Sequence, residues 1–335
     1  MYRNLNPLSI GISGRQSELI ELALTYGFKG ISADVVDLVR RAVDYDVEHV
    51  CRFHKSAKVE IGTFELPSTW RGPEDQFQAF LKRDLESYIE IARELGAQRA
   101  VLSIEPGSDL LPYHENFEQH RQRLAEIAAK LSAADIALGL GLRAARPVRQ
   151  NFAYQFIFQP EDLITLIKSI AGDNVGLWFD AWNWKVGGGT LAQLQEWPVD
   201  RLVAVELSDA PAELDLAEIG EDQRLLPGAG GAIDAQSIVN YLRDADYSGP
   251  VTPSASHEAL AGRTREEIVQ QASQAMETLW VGAGLSKPSI TAPVATAAEE
   301  SAEAEPETAA EGTGGGEEAA SGDEASEATA QPAAE

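Results

Sequence analysis

Apolar and polar positions along the chain fall into a repeating pair, a short apolar run followed by a longer stretch with helical spacing. Leu8-Ser-Ile-Gly-Ile-Ser13 reads as a first strand, and Ser17 to Leu24 carries apolar residues at helical intervals up to Gly27. A glycine just past a helical run ends it in left-handed backbone. The handoff recurs: Phe28 to Ala33 ends at Asp34 and leads into a long helical stretch from Val36 to Ala57, and Val59 to Phe64 precedes Glu65 and a helix from Glu74 to Leu95 that Gly96 stops. Arg99 to Ile104 ends at Glu105, before a helix from Glu115 to Ser132. In the second half, strands are predicted at Ile136–Leu140, Val175–Phe179, Leu202–Val205 and Pro250–Thr252, and helices at 160–170, 191–197, 235–246 and 264–279. Eight strand–helix units in about 280 residues predict a (β/α)8 TIM barrel, which typically needs ~250 residues. A doubly wound open sheet normally stops at five or six strands.

Composition adds a boundary. From Ser286 onward Ala, Glu, Gly, Ser, Thr and Pro dominate, Ile290 and Val294 are the large apolar residues left, and 12 acidic residues against one lysine give a net charge of −11. Subtracting these from 53 acidic and 27 basic residues leaves 41 and 26, or −15, for residues 1–285. A segment so poor in apolar residues cannot offset its ordering entropy, so 286–335 is expected to be a disordered acidic tail, a solubilising extension or a binding segment. The acidic balance argues against nucleic acid or an anionic membrane as partner. The single cysteine, Cys51, excludes an internal disulfide framework and a Cys-rich zinc site. With no apolar signal core and no run near the ~20 residues of a membrane span, a cytoplasmic protein is expected.

In a barrel of this kind chemistry sits at the C-terminal ends of the strands. Those positions hold Asp34, Glu65, Glu105, Gly141, Asp180, Glu206, Asp209 and Ser254. Converging carboxylates suit a hard divalent cation, although an acidic chain also carries acids at strand ends with no such role. Asp180 and Glu206, on neighbouring strands, are the leading pair. His257, just past the last strand, could reach the mouth, whereas His49, His54, His114 and His120 read as surface or internally satisfied residues. No nucleophile elbow or Walker loop is present, and Gly228-Ala-Gly-Gly231 lacks the Lys and Ser/Thr of a phosphate cradle.

Several segments together resemble the xylose-isomerase-like family of sugar isomerases and epimerases. They are Glu206-Leu-Ser-Asp-Ala-Pro211, Gln223-Arg-Leu-Leu-Pro-Gly228, Ile233-Asp234, Tyr247-Ser-Gly-Pro-Val251 and Phe179-Asp-Ala-Trp-Asn-Trp184. The resemblance spans Pro7 to about Leu279 and implies one divalent metal held by Glu, Asp, His and Glu on strands five to eight, where it would polarise a sugar carbonyl for proton transfer. Carried over position by position, Asp180 is kept, the histidine three residues later is Asn183, the strand-seven histidine is Glu206, and the two glutamates are Gly141 and Ser254. Asp180 and Glu206 therefore remain as metal ligands. Arg224 matches a family arginine that approaches the substrate, and Asp209 a further acid.

Asn183 could hydrogen-bond a sugar hydroxyl, and Trp182, Trp184 and Trp70 could form an apolar platform or cap the core. Arg143, with Arg146 and Arg149, places positive charge beyond strand five, free to pair with Asp180 or Glu206, to bind an anionic ligand, or to stand in solvent. Two functions follow as expectations. One is a degenerate barrel without cofactor that binds a carbohydrate or small acid, or serves as a scaffold. The other is an active isomerase or epimerase whose Mn, Mg or Co ion is held by Asp180, Glu206 and perhaps Glu105, Asp209 or His257.

Overall fold

The structure, a computed structural model, describes residues 1–287. The expected disordered tail lies outside the described residues apart from Ser286 and Lys287. Eight parallel strands close into a barrel: β1 Tyr2–Leu5, β2 Gly30–Ala33, β3 Glu60–Glu65, β4 Arg99–Ile104, β5 Ala137–Leu142, β6 Val175–Asp180, β7 Leu202–Leu207 and β8 Pro250–Pro253. Each pairs with its sequence neighbours, and β1 closes the ring on β8 through Tyr2 opposite Pro250.

The first strand departs from expectation. Tyr2–Leu5 forms β1, and the apolar run at Leu8–Ile10 is a single 3-10 turn. The cause is Asn4, an inward-facing polar residue that disguises a buried strand. Its amide is fully buried and donates to Ser32 Oγ at 3.0 Å and Thr252 Oγ1 at 2.9 Å, while Ser32 bonds Thr63 Oγ1 at 2.9 Å. Gly30 and Gly62 leave the space it occupies, since a Cβ at Gly62 would collide with the Asn4 amide. The barrel floor on this side is thus a hydroxyl–amide layer in a core otherwise built from aliphatic and aromatic side chains.

Helix ends follow local chemistry. Gly27 (φ +73°) and Gly96 (φ +71°) terminate the helices Gln16–Thr25 and Leu85–Leu95 in left-handed backbone. The long helix expected over 36–57 is two, Val35–Ala42 and Val47–Ala57, because Asp34 caps the first and Asp46 the second by accepting from the backbone N–H three residues on. A short helix not expected from the sequence, Ala181–Val186, begins directly at the end of β6. Among the described residues no helix is long and apolar enough to cross a membrane.

Candidate functional site

The C-terminal mouth of the barrel holds two adjoining cavities. The smaller, about 250 Å³, is lined by Gly141, Trp178, Asp180, Asn183, Arg224 and Ser254 among others. The larger, about 740 Å³, opens over strands β1 to β4. Ser103, Arg143, Trp178 and Glu206 line both, so these residues form the wall between them.

At the centre of the smaller cavity stands Arg224. Its Nη1 donates to Asp180 Oδ2 at 2.9 Å, Glu206 Oε1 at 3.1 Å and Ser254 Oγ at 3.2 Å. β6 and β7 place the two carboxylates side by side, with Asp180 opposite Glu206 in register. The arginine arrives from the loop beyond β7, where Asp209 and Leu225 exchange backbone hydrogen bonds of 2.8 and 2.9 Å and Ser256 N–H bonds the Arg224 carbonyl at 2.9 Å. Beneath the guanidinium lies the fully buried Trp182 ring, 4.9 Å from Cζ to ring centroid, a cation–π contact. Nη1 makes all three of these side-chain bonds, and no hydrogen bond from Nη2 or Nε is found among the described residues.

Both carboxylates are buried, but they are held differently. Asp180 caps the short helix, accepting at Oδ1 from the N–H groups of Trp182 (2.9 Å) and Asn183 (3.1 Å), and at Oδ2 from Asn183 Nδ2 (2.7 Å) as well as Arg224. Four donors thus converge on its two oxygens. Glu206 has no such cage. Burial first, then the neighbouring Asp180 charge, push its carboxyl up to about 7, against the opposing pull of Arg224 and Ser254. The same pair of carboxylates holds Arg224 charged although its burial works the other way.

Several sequence expectations change here. Arg143 does not enter the cation position. Its guanidinium is bidentate to Glu221 (Nε to Oε1 3.2 Å, Nη2 to Oε2 2.8 Å) and its Nη1 donates to both Glu105 oxygens (3.0 and 3.1 Å), with Arg71 also on Glu105 at 3.1 Å. Asn183 is consumed by structure: Nδ2 donates to Asp180 and Oδ1 accepts from Ala144 N–H at 2.9 Å, which leaves little for a sugar hydroxyl. Trp184 packs on Phe179 and donates its indole N–H to the Thr190 carbonyl at 3.0 Å, away from both cavities, and Trp182 serves as the seat of Arg224. Asp209 spends both oxygens on backbone N–H groups, Ala210 and Ile233 at one and Gly230 and Gly231 at the other, and so pins the glycine loop. His257 is exposed beside Gly11 and lines neither cavity.

The aromatic platform of the mouth is Trp178, which the sequence reading passed over. It lies two residues before Asp180 on β6, and period-two alternation puts both on the inward face. Its ring covers Gly141: a Cβ there would fall 2.6 Å from Trp178 Cε3. Gly141→Ala is accordingly expected to displace the ring and cost about 1–2 kcal/mol in stability, read from urea unfolding.

A divalent cation, which the family resemblance implies, does not fit the residues as they stand. Of the two carboxylate positions on β5 and β8, one is glycine under an indole and the other is serine. The remaining oxygens, Asp180 Oδ2, Glu206 Oε1 and Ser254 Oγ, already converge on a cationic nitrogen. Among the described residues no three His, Cys, Asp or Glu side chains come together as a metal site requires.

A closed parallel barrel with polar residues gathered at the strand C-termini defines a TIM-barrel protein. The chain belongs to the xylose isomerase-like TIM barrel family, whose model matches residues 20–279. An inosose isomerase of Bacillus velezensis is 22% identical over 169 residues, 48% of this chain and 56% of that protein, so the match spans about half the length of the curated relative. Among solved structures, a xylose isomerase domain protein of Alicyclobacillus acidocaldarius superposes with a TM-score of 0.76 at 22% identity, covering 85% of this chain and 99% of its own. The D-psicose 3-epimerase of Clostridium cellulolyticum H10, solved with D-tagatose, gives 0.66 at 14% identity, over 84% and 99%. At these identities the structural likeness is one of fold.

Proposed function

We propose that this barrel binds a small carbohydrate at its C-terminal mouth without a divalent cation, Arg224 standing where the family's metal would be. The observation that carries the reading is the Arg224 Nη1 position, within 2.9–3.2 Å of Asp180, Glu206 and Ser254. A guanidinium held this way supplies fixed positive charge and directed N–H donors to a hydroxyl or carbonyl oxygen. Trp178 supplies the apolar face on which the C–H side of a sugar ring packs, and the kinship with inosose isomerases and a ketose epimerase supports a polyhydroxylated ligand.

Calorimetric titration with a panel of ketohexoses and inososes, once in EDTA and once in excess Mn²⁺, tests the reading. Equal binding in both, weakened about tenfold or more by Trp178→Ala, is expected. Binding that requires Mn²⁺, with near-stoichiometric metal retained after dialysis, would overturn it.

A second reading, an active isomerase or epimerase with a rearranged site, is favoured by one observation. Glu206 is a buried carboxyl raised towards neutrality, the range in which a general acid–base group works best. It predicts solvent deuterium entering the bound sugar at the carbon next to its carbonyl, with loss of that exchange in Glu206→Gln.

A further inference from the structure

The larger cavity exceeds what one sugar ring in the smaller cavity needs. Its 740 Å³ lies within the ~300–1,000 Å³ of sites that enclose drug-sized ligands. One side is apolar, formed by Ile12, Leu38 and Leu66, and at the rim Leu8 and Val36 stand 65% and 43% exposed, two large apolar side chains at the opening of a concave site.

The charges around this cavity are less symmetrical than their number suggests. Its three arginines are all engaged, Arg71 and Arg143 with Glu105, Arg143 also with Glu221, and Arg41 with Asp37. His54 Nδ1 accepts from Gln16 Nε2 at 2.5 Å, and burial lowers its pKa to about 4, so it is neutral. Glu65, in contrast, has no hydrogen-bond or ion-pair partner among the described residues. It is exposed at the cavity wall, and partial desolvation raises its pKa against the opposing charge of Arg143. A phosphorylated ligand would meet an unpaired carboxylate and no unengaged cation, and an uncharged one would meet neither obstacle.

We propose that the two cavities together take an uncharged glycoside, its sugar in the smaller cavity against Trp178 and Arg224 and its apolar aglycone in the larger, along Leu8, Ile12, Val36 and Leu38. This deepens the carbohydrate reading above and rests on it. Trp178 lies at the junction, lining both spaces, so one ring can serve both halves of the ligand.

The test is calorimetric comparison of a phenyl glycoside, the corresponding free hexose and its 6-phosphate. The phenyl glycoside is expected to bind tighter than the hexose by about tenfold or more, from the aryl surface removed from water. Leu8→Ser/Val36→Ser, at two exposed positions, should cut that gain and leave the hexose unchanged. The phosphate should bind weakest and recover severalfold in Glu65→Gln. Equal affinity of hexose and phenyl glycoside, or preference for the phosphate, overturns the inference and leaves the carbohydrate reading standing. Failure of all three ligands to bind overturns both.

Discussion

Arg224→Ala is expected to destabilise the barrel by about 3–5 kcal/mol, the cost of breaking a buried ion pair from one side. Asp180 and Glu206 lie in register on adjacent strands, 8% and 7% exposed, and the arginine is the cation that both share. Removing it leaves two carboxylates facing one another, Asp180 still held by Trp182 and Asn183 but Glu206 with Ser254 as its remaining donor. The loss should lower the thermal midpoint by on the order of 10 °C in a domain of this size. The variant should also gain a property the parent lacks. Asp180 Oδ2, Glu206 Oε1 and Ser254 Oγ would then surround a space suited to a hard cation, and Mn²⁺ or Mg²⁺ should raise its midpoint by mass action while leaving the wild type unmoved. Thermal unfolding with and without metal reads both effects. A loss below about 1 kcal/mol would mean that water replaces the guanidinium freely. An equal metal response in the wild type would mean that Arg224 gives way to the ion.

On the proposed reading, with Arg224 in the place of a metal, the charges can be compared. Three carboxylates around a divalent ion, as the family pattern implies, leave one negative charge. Asp180 and Glu206 around the single charge of Arg224 leave the same once Glu206 has lost its proton, above about pH 7. The glycine at 141 and the serine at 254 therefore go with the arginine: with either carboxylate restored, the guanidinium would be outweighed. Trp178 then fills the room that a side chain on β5 would take.

Much of this was legible in the sequence, and the failures have specific physical causes. The eight units and most strand ends follow from apolar runs and helix stops. β1 was misplaced because its inward residue is Asn4, whose hydrogen bonds to Ser32 and Thr252 reach across the floor of the closed barrel. Asp180 and Glu206 were found because alternation and strand order place them directly. Trp178 was equally accessible, since it shares the parity of Asp180, but Trp182 and Trp184 drew attention from beyond the strand end. The family resemblance marks Arg224 as a substrate-side arginine, but its pairing with both carboxylates was not accessible. Arg224 lies 44 residues from Asp180 and 18 from Glu206, and only the loop geometry fixed by Asp209 and Leu225 brings it to them. Arg143, adjacent to the vacated β5 position in sequence, was the natural candidate, and Glu105 and Glu221 hold it elsewhere.

Glu206→Gln is expected to change stability little near pH 5 and to raise it by up to about 3 kcal/mol at pH 8, taking about 1.4 kcal/mol per pKa unit. In the folded state burial and the Asp180 charge push the Glu206 carboxyl from its usual 4.5 up to about 7. Between those values the folded chain keeps a proton that the unfolded chain has released, so stability falls as pH rises. The contribution is fully present below about 4.5 and is lost as pH passes through about 7. Glutamine keeps an oxygen for Arg224 and carries no charge to set against Asp180, so the variant should not share this decline. The other acidic groups titrate alike in both proteins, and the difference between urea unfolding curves of variant and wild type across pH 5 to 8 isolates residue 206. A difference that stays flat with pH would place the Glu206 proton elsewhere. A difference that grows would establish that the site holds one more negative charge above neutrality than its single arginine balances, and that a ligand able to donate a hydrogen bond to Glu206 should bind the wild type more tightly than Glu206→Gln by a margin that widens as the pH is raised.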